Sequence, residues 1–431
     1  MLDAQTRGRA EPRVEGRTRV LLFACLAMAL AYLPWYNYSA VLPLVRRDFD
    51  LSASDAGLIL SSFQLGYVAV VLLTGWLSDR VGPRAVLVAS ALVTGFASVG
   101  FGFFAGDFAS ALFWRLLVGA GCGGLYVPGL ALLSEWFAPH ERGMALGAYT
   151  GALTIAYAGA YLFAGPLAAI SDWRTAVIIT SLGCFLGAAV YWRLVRRAPG
   201  SREARGARGR EPGWRGLLRA PTIGAVALLT LAYCAHMWEA YGFLGWVGPF
   251  FVAVAQRNGF VGAEALGVGG TLAAVAVLLS AIGPWGGGVL ADRIGRVPAI
   301  RLLLGISIPC SLVFGWLIGA PMALGLVVGL GYSLFAMADS AVYKAGLTEL
   351  LPAEVRATAL GLQSALGFGV SVISPAVFGF VLDATNPAAA ATPAVWGWAF
   401  VVLGVGACVG QVALLALHRL PASKAMGGGR G

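Results

Sequence analysis

The sequence predicts an all-α polytopic membrane protein whose twelve transmembrane helices form two six-helix bundles. Charged residues make up only 12% of the 431 residues, about half the share in a typical soluble protein, and 59% are hydrophobic. Apolar runs long enough to cross a ~30 Å hydrocarbon core recur from end to end. The alternative is a soluble protein with a very large core. The expected spans are residues 19–44, 55–78, 84–105, 108–134, 143–169, 173–195, 220–252, 263–291, 297–319, 321–350, 357–383 and 393–418.

A repeat divides these spans into two halves. Charged residues recur at an offset of 213 or 214 positions, and the pairs are Asp79 with Asp292, Glu135 with Glu349, and Arg142 with Arg356. Because each half has an even number of spans, the halves share one orientation and are parallel repeats about an axis along the membrane normal. The expected domains are an N-terminal tail (1–18), a first bundle (19–195), a linker (196–219), a second bundle (220–418) and a C-terminal tail (419–431).

The net charge of +10 is concentrated in loops. Arginines crowd the segment before the first span and the linker 196–219. An excess of Lys and Arg marks cytoplasmic loops. We therefore predict a cell-membrane protein with both termini in the cytoplasm and a flexible linker that lies against anionic lipid headgroups. This distribution argues against a nucleic acid partner.

The sequence shows no arrangement typical of an enzyme or a metalloprotein. Its six cysteines stand alone in apolar runs, without the spacing of a metal site or a disulfide framework. The stretch from Gly119 to Gly124 fits a dinucleotide-binding pattern but lies inside an apolar run, so close helix packing explains its glycines. We expect no enzymatic activity, no cofactor, no metal and a monomeric protein.

Two related charged stretches follow the second span of each half: "GWLSDRVGPR", from Gly75, and "GVLADRIGR", from Gly288. Glycine lets two helices approach closely at this level. Asp79 and Asp292 are placed to face the positive N-terminal end of a helix from the opposite half. We predict a cytoplasmic gate formed by Gly75, Asp79, Arg80, Glu135, Arg142, Gly288, Asp292, Arg293, Glu349 and Arg356.

In this prediction Asp79 lies at the helix start near Ala357, and Asp292 lies at the helix start near Gly143. Gly82 and Gly295 permit the turns. The network closes the cytoplasmic side and breaks when the two halves rock. The alternative is a topogenic turn whose charges only fix the orientation of the chain.

The paired stretches resemble the signature loop of the major facilitator superfamily. Arg115, followed by glycines in "RLLVGAGCG", is similar to the fourth-helix motif of that superfamily. The resemblance implies a secondary carrier with alternating access, whose cavity is lined by the first, fourth, seventh and tenth helices. It singles out Tyr36, Tyr126, Trp238 and Tyr343 as cavity residues, and polar groups elsewhere add Asn37, Gln64, Tyr157 and Gln363.

The fifth span departs from the exchangers of this superfamily. Their Gly-Pro-x-x-Gly-Gly motif lies in the middle of that span, whereas here Gly165 and Pro166 are displaced toward its outer end and no glycine pair follows. The difference argues against a drug/proton antiporter and favours symport. Pro34 predicts a kink in the first span.

Ionisable residues within spans are costly and mark functional sites. His236 and Glu239 share one face of the seventh span, and burial of a carboxylate favours its neutral form, so the pair suits proton transfer. A metal pair and a structural hydrogen-bonded pair are the alternatives. Asp339 and Lys344 lie in the tenth span, where Lys344 acts as counter-ion to an anionic substrate or neutralises Asp339 or Glu349.

Arg115 has two interpretations: by resemblance, proton coupling or anion attraction, and otherwise a structural Arg bonded to helix-end carbonyls. We predict proton-linked uptake of a small organic anion, with Glu239 and His236 carrying the proton and Arg115 or Lys344 attracting the anion. One alternative is efflux of a hydrophobic or cationic compound attracted by Glu239 and Asp339. Another is a sensor that binds a nutrient without transporting it.

Overall fold

The computed structural model describes residues 14–137, 141–194, 214–386 and 393–428. These ranges are helical and contain no strand, and twelve helical spans in them have the length and apolarity to cross a membrane, as predicted. The first half comprises α1 (Val14–Ala31), α2 (Pro34–Asp48), α3 (Ala53–Val81), α4 (Pro83–Phe104), α5 (Phe108–Cys122), α6 (Tyr126–Trp136), α7 (Arg142–Ile170) and α8 (Trp173–Leu194). The second half comprises α9 (Trp214–Leu218), α10 (Ile223–Arg257), α11 (Gly262–Leu279), α12 (Gly283–Ile294), α13 (Arg296–Phe314), α14 (Met322–Ala338), α15 (Ser340–Leu350), α16 (Ala353–Thr385) and α17 (Gly397–Arg419).

Four spans are broken into two helices. The kink predicted at Pro34 is confirmed, because α1 ends at Ala31 and α2 begins at Pro34. The fourth span breaks between α5 and α6, the eighth between α11 and α12, and the tenth at Asp339 between α14 and α15. The break at Asp339 places a carboxylate at the end of a helix, inside the bundle.

The fourth-span glycines serve helix packing. A Cβ on Gly119 would overlap the carbonyl oxygen of Phe63 in α3, and a Cβ on Gly66 would overlap the carbonyl of Leu116 in α5. Only glycine allows two backbones to come this close. The packing interpretation of the glycine-rich run is therefore confirmed.

The two charged loops share one backbone conformation. Gly82 (φ 91°) lies between α3 and α4, and Gly295 (φ 96°) lies between α12 and α13. These left-handed values favour glycine, which has no Cβ to oppose them. The turns predicted at both positions are confirmed.

The two halves meet on one side of the bundle. We call the side on which α1 begins and α17 ends the terminal face, and the opposite side the far face. Toward the far face, α7 packs against α11 and α3 against α16, with Gly165 against the backbone of Gly270. Among the described residues, the terminal-face helices α12 and α15 make no extensive contact with the first half. In the described part of the chain, the halves are thus joined toward the far face, and α12 and α15 stand apart from the first half at the terminal face.

Both predicted tails and the linker reach beyond the described ranges. Residues 1–13, 195–213 and 429–431 lie outside them. The last part of the predicted linker forms α9, whose Leu217 is buried in the second bundle. The segment Pro421–Gly428, which we call the tail, forms 3₁₀ turns on the terminal face. The domain boundaries remain a prediction.

Candidate transport site and gates

A buried imidazole–carboxylate pair lies inside the second half. His236 on α10 places its Nδ1 2.8 Å from Oδ1 of Asp339, at the break between α14 and α15. Both side chains are buried. From the sequence we predicted that His236 shares a proton with Glu239, but the carboxylate within ion-pair distance of His236 is that of Asp339.

Glu239 lies one turn further along α10 and faces other partners. Ser307 on α13 donates to its Oε2 at 3.0 Å, while Oε1 has no hydrogen-bond partner. Its residue exposure is 1%. A buried carboxylate with one free oxygen is stable only when it carries a proton or finds another partner. We call His236, Glu239 and Asp339 the acid–imidazole cluster.

Lys344 is a cation without a matching acid. Its Nζ donates to Ser364 Oγ at 2.8 Å and lies 4.1 Å from the centroid of the Tyr233 ring. No carboxylate among the described residues lies within ion-pair distance of it. The two acids expected to neutralise it have other partners: Asp339 pairs with His236, and Glu349 pairs with Arg296. The site therefore carries an uncompensated, half-buried positive charge.

Aromatic rings connect Lys344 to the acid–imidazole cluster. Tyr233 stacks on His236 with ring centroids 5.9 Å apart, and Tyr343 lies 5.5 Å from His236 and 5.7 Å from Tyr233. Tyr343, expected in the cavity, is fully buried. The Tyr233 ring thus lies against both the ammonium and the imidazole.

Arg115 binds the kink of the first span. Its two terminal nitrogens donate to the carbonyls of Pro34 (2.8 Å) and Trp35 (3.0 Å), and its guanidinium lies 4.6 Å from the Phe63 ring centroid. This is the structural role that the sequence left open. Arg115 also borders a void of about 10 Å³, shared with Gln64 of the first half and Tyr241 of the second, at the boundary between the halves.

Unpartnered amides lie on α3 and α16, which pack against each other across the two halves. Oε1 of Gln64 and both amide atoms of Gln363 are buried without a hydrogen-bond partner. Such groups cost free energy unless a ligand or water satisfies them. Tyr36 and Tyr157 pack together with ring centroids 4.8 Å apart, beside the same void. Tyr126 is half-buried and shares a hydrogen bond of 3.1 Å with Thr150.

Two residues expected in the cavity face other helices. Trp238 packs on Gly406 of α17 and donates to the Val402 carbonyl at 3.2 Å. Asn37 points its amide toward Thr180 of α8 at 3.2 Å. A helix turns by about 100° per residue, so neighbours of a cavity residue face the bundle interior. The cavity prediction was wrong for both.

The far-face seal joins the halves by hydrogen bonds. Asp383 of α16 accepts from the backbone of Ala53 (2.9 Å) and Ser54 (2.7 Å), and from the Ser54 hydroxyl (2.6 Å). It therefore caps the N-terminus of α3, where a carboxylate is favoured by the helix dipole. Ser39 donates to the Gly245 carbonyl at 2.5 Å and Tyr161 to that of Leu244.

The described gate residues of the second half bind one another. Arg296 connects Asp292 (2.5 Å) to Glu349 (2.9 Å) within the second half. Glu349 thus pairs with Arg296, and Arg356 donates to the Leu351 carbonyl at 2.8 Å. Arg296 lies four residues after Asp292, across the turn at Gly295, and reaches Glu349 of α15.

The structure describes some of the other predicted gate residues, namely Arg80, Glu135, Gly288 and Arg293. Arg80 stacks 3.8 Å from the Trp76 ring centroid, and Arg293 is exposed. Glu135 is half-buried. A Cβ on Gly288 would meet nothing within 4 Å, so the close approach expected there is wrong for this state. Neighbouring Gly287 makes it instead, against Ala338 of α14. The side chains of Asp79 and Arg142, and the surroundings of Gly75, lie outside the described part.

Among the described residues, no group of three or more His, Cys, Asp or Glu could hold a metal ion. The metal alternative for His236 therefore has no support in these ranges. Among the described residues, the candidate site consists of one cation without an acidic partner and one acid–imidazole cluster in the second half, with unpartnered amides on α3 and α16. Ionisable groups buried within membrane spans mark a functional site, such as that of a transporter.

Comparison with known families agrees with that class. The family model for the Major Facilitator Superfamily matches residues 24–362. The chain therefore belongs to this superfamily of membrane transporters, and it is an integral, multi-pass membrane protein.

Two curated relatives and one solved structure illustrate the likeness. The chain is 28% identical to the probable sulfoacetate transporter of Cupriavidus necator, over 87% of this chain and 89% of that protein. It is 26% identical to the hexuronate transporter of Bacillus subtilis, over 85% and 88%. A bacterial homologue of the human lysosomal transporter Spinster, crystallised inward-facing and occupied, has a TM-score of 0.73 and 18% identity, over 94% of this chain and 97% of that chain.

Proposed function

We propose that the protein takes up a small organic anion together with protons by alternating access. The terminal face is then the cytoplasmic face, in keeping with the arginines of the N-terminal tail and the linker. The observation that carries the proposal is Lys344, a half-buried cation with no acidic partner among the described residues. The names of the two relatives, a transporter of sulfoacetate and one of hexuronate, support an anionic carboxylate or sulfonate.

The charge balance of the site links proton binding to anion binding. With His236 protonated and Glu239 neutral, the charges of His236 and Asp339 cancel, and Lys344 leaves the site one positive charge. That charge attracts an anion in a low-dielectric pocket. Loss of the proton from His236 cancels the excess charge, and ionisation of Glu239 makes it negative. Substrate and proton therefore raise each other's affinity, as linkage requires.

In this mechanism the proton and the anion enter together from the far face. Closure of the far-face seal and opening of the terminal face expose both to the cytoplasm. Loss of the proton to the more alkaline cytoplasm weakens anion binding and releases it. The unpartnered amides of Gln64 and Gln363 supply neutral hydrogen bonds to the substrate.

The test is uptake of sulfoacetate and of a hexuronate into proteoliposomes under an imposed inward proton gradient. We expect Lys344→Gln to reduce uptake at least about tenfold and Lys344→Arg to retain part of it, because the positive charge is what the anion needs. Lys424→Gln is the matched control, since Lys424 is the other lysine of the chain and is exposed. Uptake by Lys344→Gln equal to that of the control would overturn the proposal.

The same preparations separate the alternatives. Extrusion of hydrophobic cations that depends on Glu239 and Asp339 would indicate efflux. Saturable anion binding without any flux would indicate a sensor. Either result contradicts proton-linked uptake.

A further inference from the structure

We propose that the tail, Pro421–Gly428, is a built-in strap that holds the transporter open toward the cytoplasm. It does so by binding Glu349, a gate residue of the second half. The inference rests on the alternating-access part of the proposed function and is independent of the substrate.

The tail is anchored by a methionine. Met426 is fully buried, although it follows the last span by only a few residues. Its side chain fills a socket on the terminal face between Gly346 of α15 and Leu229 of α10. A Cβ on Gly346 would lie 2.5 Å from the methionine Cε, so the socket depends on the missing side chain. Burial of this apolar side chain stabilises the docked tail.

The end of the tail binds the gate directly. The backbone N–H of Gly427 donates to Oε2 of Glu349 at 2.8 Å. Gly427 has φ +59°, a left-handed conformation that favours glycine. A Cβ on Gly427 would lie 3.6 Å from the Cα of Gly295, so the tail reaches the charged loop as well.

One carboxylate thus joins the tail to the charged loop. Glu349 accepts from Gly427 and from Arg296, which also binds Asp292. Hydrogen bonds to an ionised group are about twice as strong as those between neutral groups. Two predicted gate acids, Asp292 and Glu349, are in this way held within their own half while the tail is docked.

Closing the cytoplasmic side requires these acids to face the first half. The docked tail opposes that step, because Glu349 must exchange its tail contact for one across the gate. Release of the tail removes one of the contacts that hold Glu349 within the second half, and so favours the state that faces outward. The tail therefore sets the balance between the two states, and anything that binds or modifies it alters that balance.

The experiment measures the distance between spin labels placed across the terminal face. One label replaces Met144 of the first half and the other replaces Leu218 of α9, both exposed, in a background in which the six native cysteines are replaced. The variants are deletion of residues 421–431, Met426→Asp and Gly427→Pro. Proline lacks the N–H and does not adopt φ +59°, so Gly427→Pro releases the gate without disturbing the core. Lys424→Ala, exposed in the same segment, is the control.

We expect all three tail variants to lower the ratio of inward-open to outward-open molecules at least about fivefold relative to Lys424→Ala. Addition of a peptide of residues 420–431 should restore the ratio in the deletion. Unchanged distance distributions in Met426→Asp and Gly427→Pro would overturn the strap, provided that the wild type shows both states. A wild type and tail variants that all show one and the same single state would instead refute alternating access.

Discussion

Single residues in the second half carry the proposed coupling. His236 and Asp339 face each other at 2.8 Å, and Lys344 has no acid of its own among the described residues. In the described spans of the first half, Arg115 is the buried ion, and it bonds backbone carbonyls. The halves are therefore repeats in architecture but differ in chemistry: the second holds the titratable groups and the first supplies aromatic and amide surface.

Asp339→Asn should uncouple transport from protons. The neutral amide cannot act as the acidic partner of His236, so the proposed proton-carrying pair is lost. We expect proton-driven uptake to fall at least about tenfold and to lose its dependence on external pH, while exchange of labelled for unlabelled substrate persists. The measurement is uptake and counterflow across a range of pH, with the exposed acid variant Glu264→Gln as control. A normal pH profile in Asp339→Asn would exclude this pair from coupling.

Arg115→Lys should mainly lower stability. Lysine keeps the charge but does not span the two carbonyls of Pro34 and Trp35, and each hydrogen bond from a charged group contributes about 1.5–3 kcal/mol. We expect an apparent Tm several degrees below that of the exposed-site control Arg193→Lys, measured in detergent. An unchanged Tm together with lost substrate binding would assign Arg115 to the substrate instead.

At the scale of helices, glycines allow particular helix faces to pack closely against neighbouring helices. α3 and α5 approach so closely at Gly119 and Gly66 that neither position has room for a Cβ. The same device brings α12 against α14 at Gly287. These contacts make each half a rigid body, which rocking motion requires.

Gly119→Ala should disrupt the first bundle, whereas Gly147→Ala should not. The added methyl meets the Phe63 carbonyl at Gly119, but nothing lies within 4 Å of a Cβ at Gly147. Within a helix, alanine is otherwise favoured over glycine by roughly 0.5–1 kcal/mol. We expect lower yield and lower Tm for the first variant and an equal or higher Tm for the second, by detergent thermal unfolding. Equal stability of the two variants would contradict the packing account.

The sequence alone predicts the helical spans and turns well, but it does not predict which side chains contact each other. Span count, the Pro34 kink and the turns at Gly82 and Gly295 follow from apolar length and backbone sterics, which are local properties. The pairing of His236 with Asp339 joins residues about a hundred positions apart, and no local pattern encodes it. The orientations of Trp238 and Asn37 depend on rotation about the helix axis, which an all-round apolar span does not reveal. Met426 packs against Gly346, and this contact depends on the shape of the folded surface, which the sequence does not reveal.

At the scale of the whole molecule, two sets of contacts on opposite faces compete. The far-face seal joins the halves on one side through Asp383 at the α3 N-terminus, and on the other side the tail binds the gate residue Glu349. Transport requires that these two sets differ by only a few kcal/mol in total, so that substrate and protons decide which one forms.

Asp383→Ala should open the far face. It removes three hydrogen bonds to the N-terminus of α3 and a charge that the helix dipole favours. We expect a shift toward outward-open molecules, seen as longer distances between spin labels across the far face, with Glu264→Ala as the matched far-face acid control. Distances that match the control would show that the seal does not depend on this carboxylate.

Proton movement driven by substrate alone tests the central claim most directly. Proteoliposomes loaded with a pH-sensitive dye, without any imposed gradient, receive an external pulse of sulfoacetate or hexuronate. Coupled uptake predicts acidification of the interior by the wild type and none by Asp339→Asn or Lys344→Gln. Labelled substrate that accumulates without any change in internal pH would contradict proton-linked uptake.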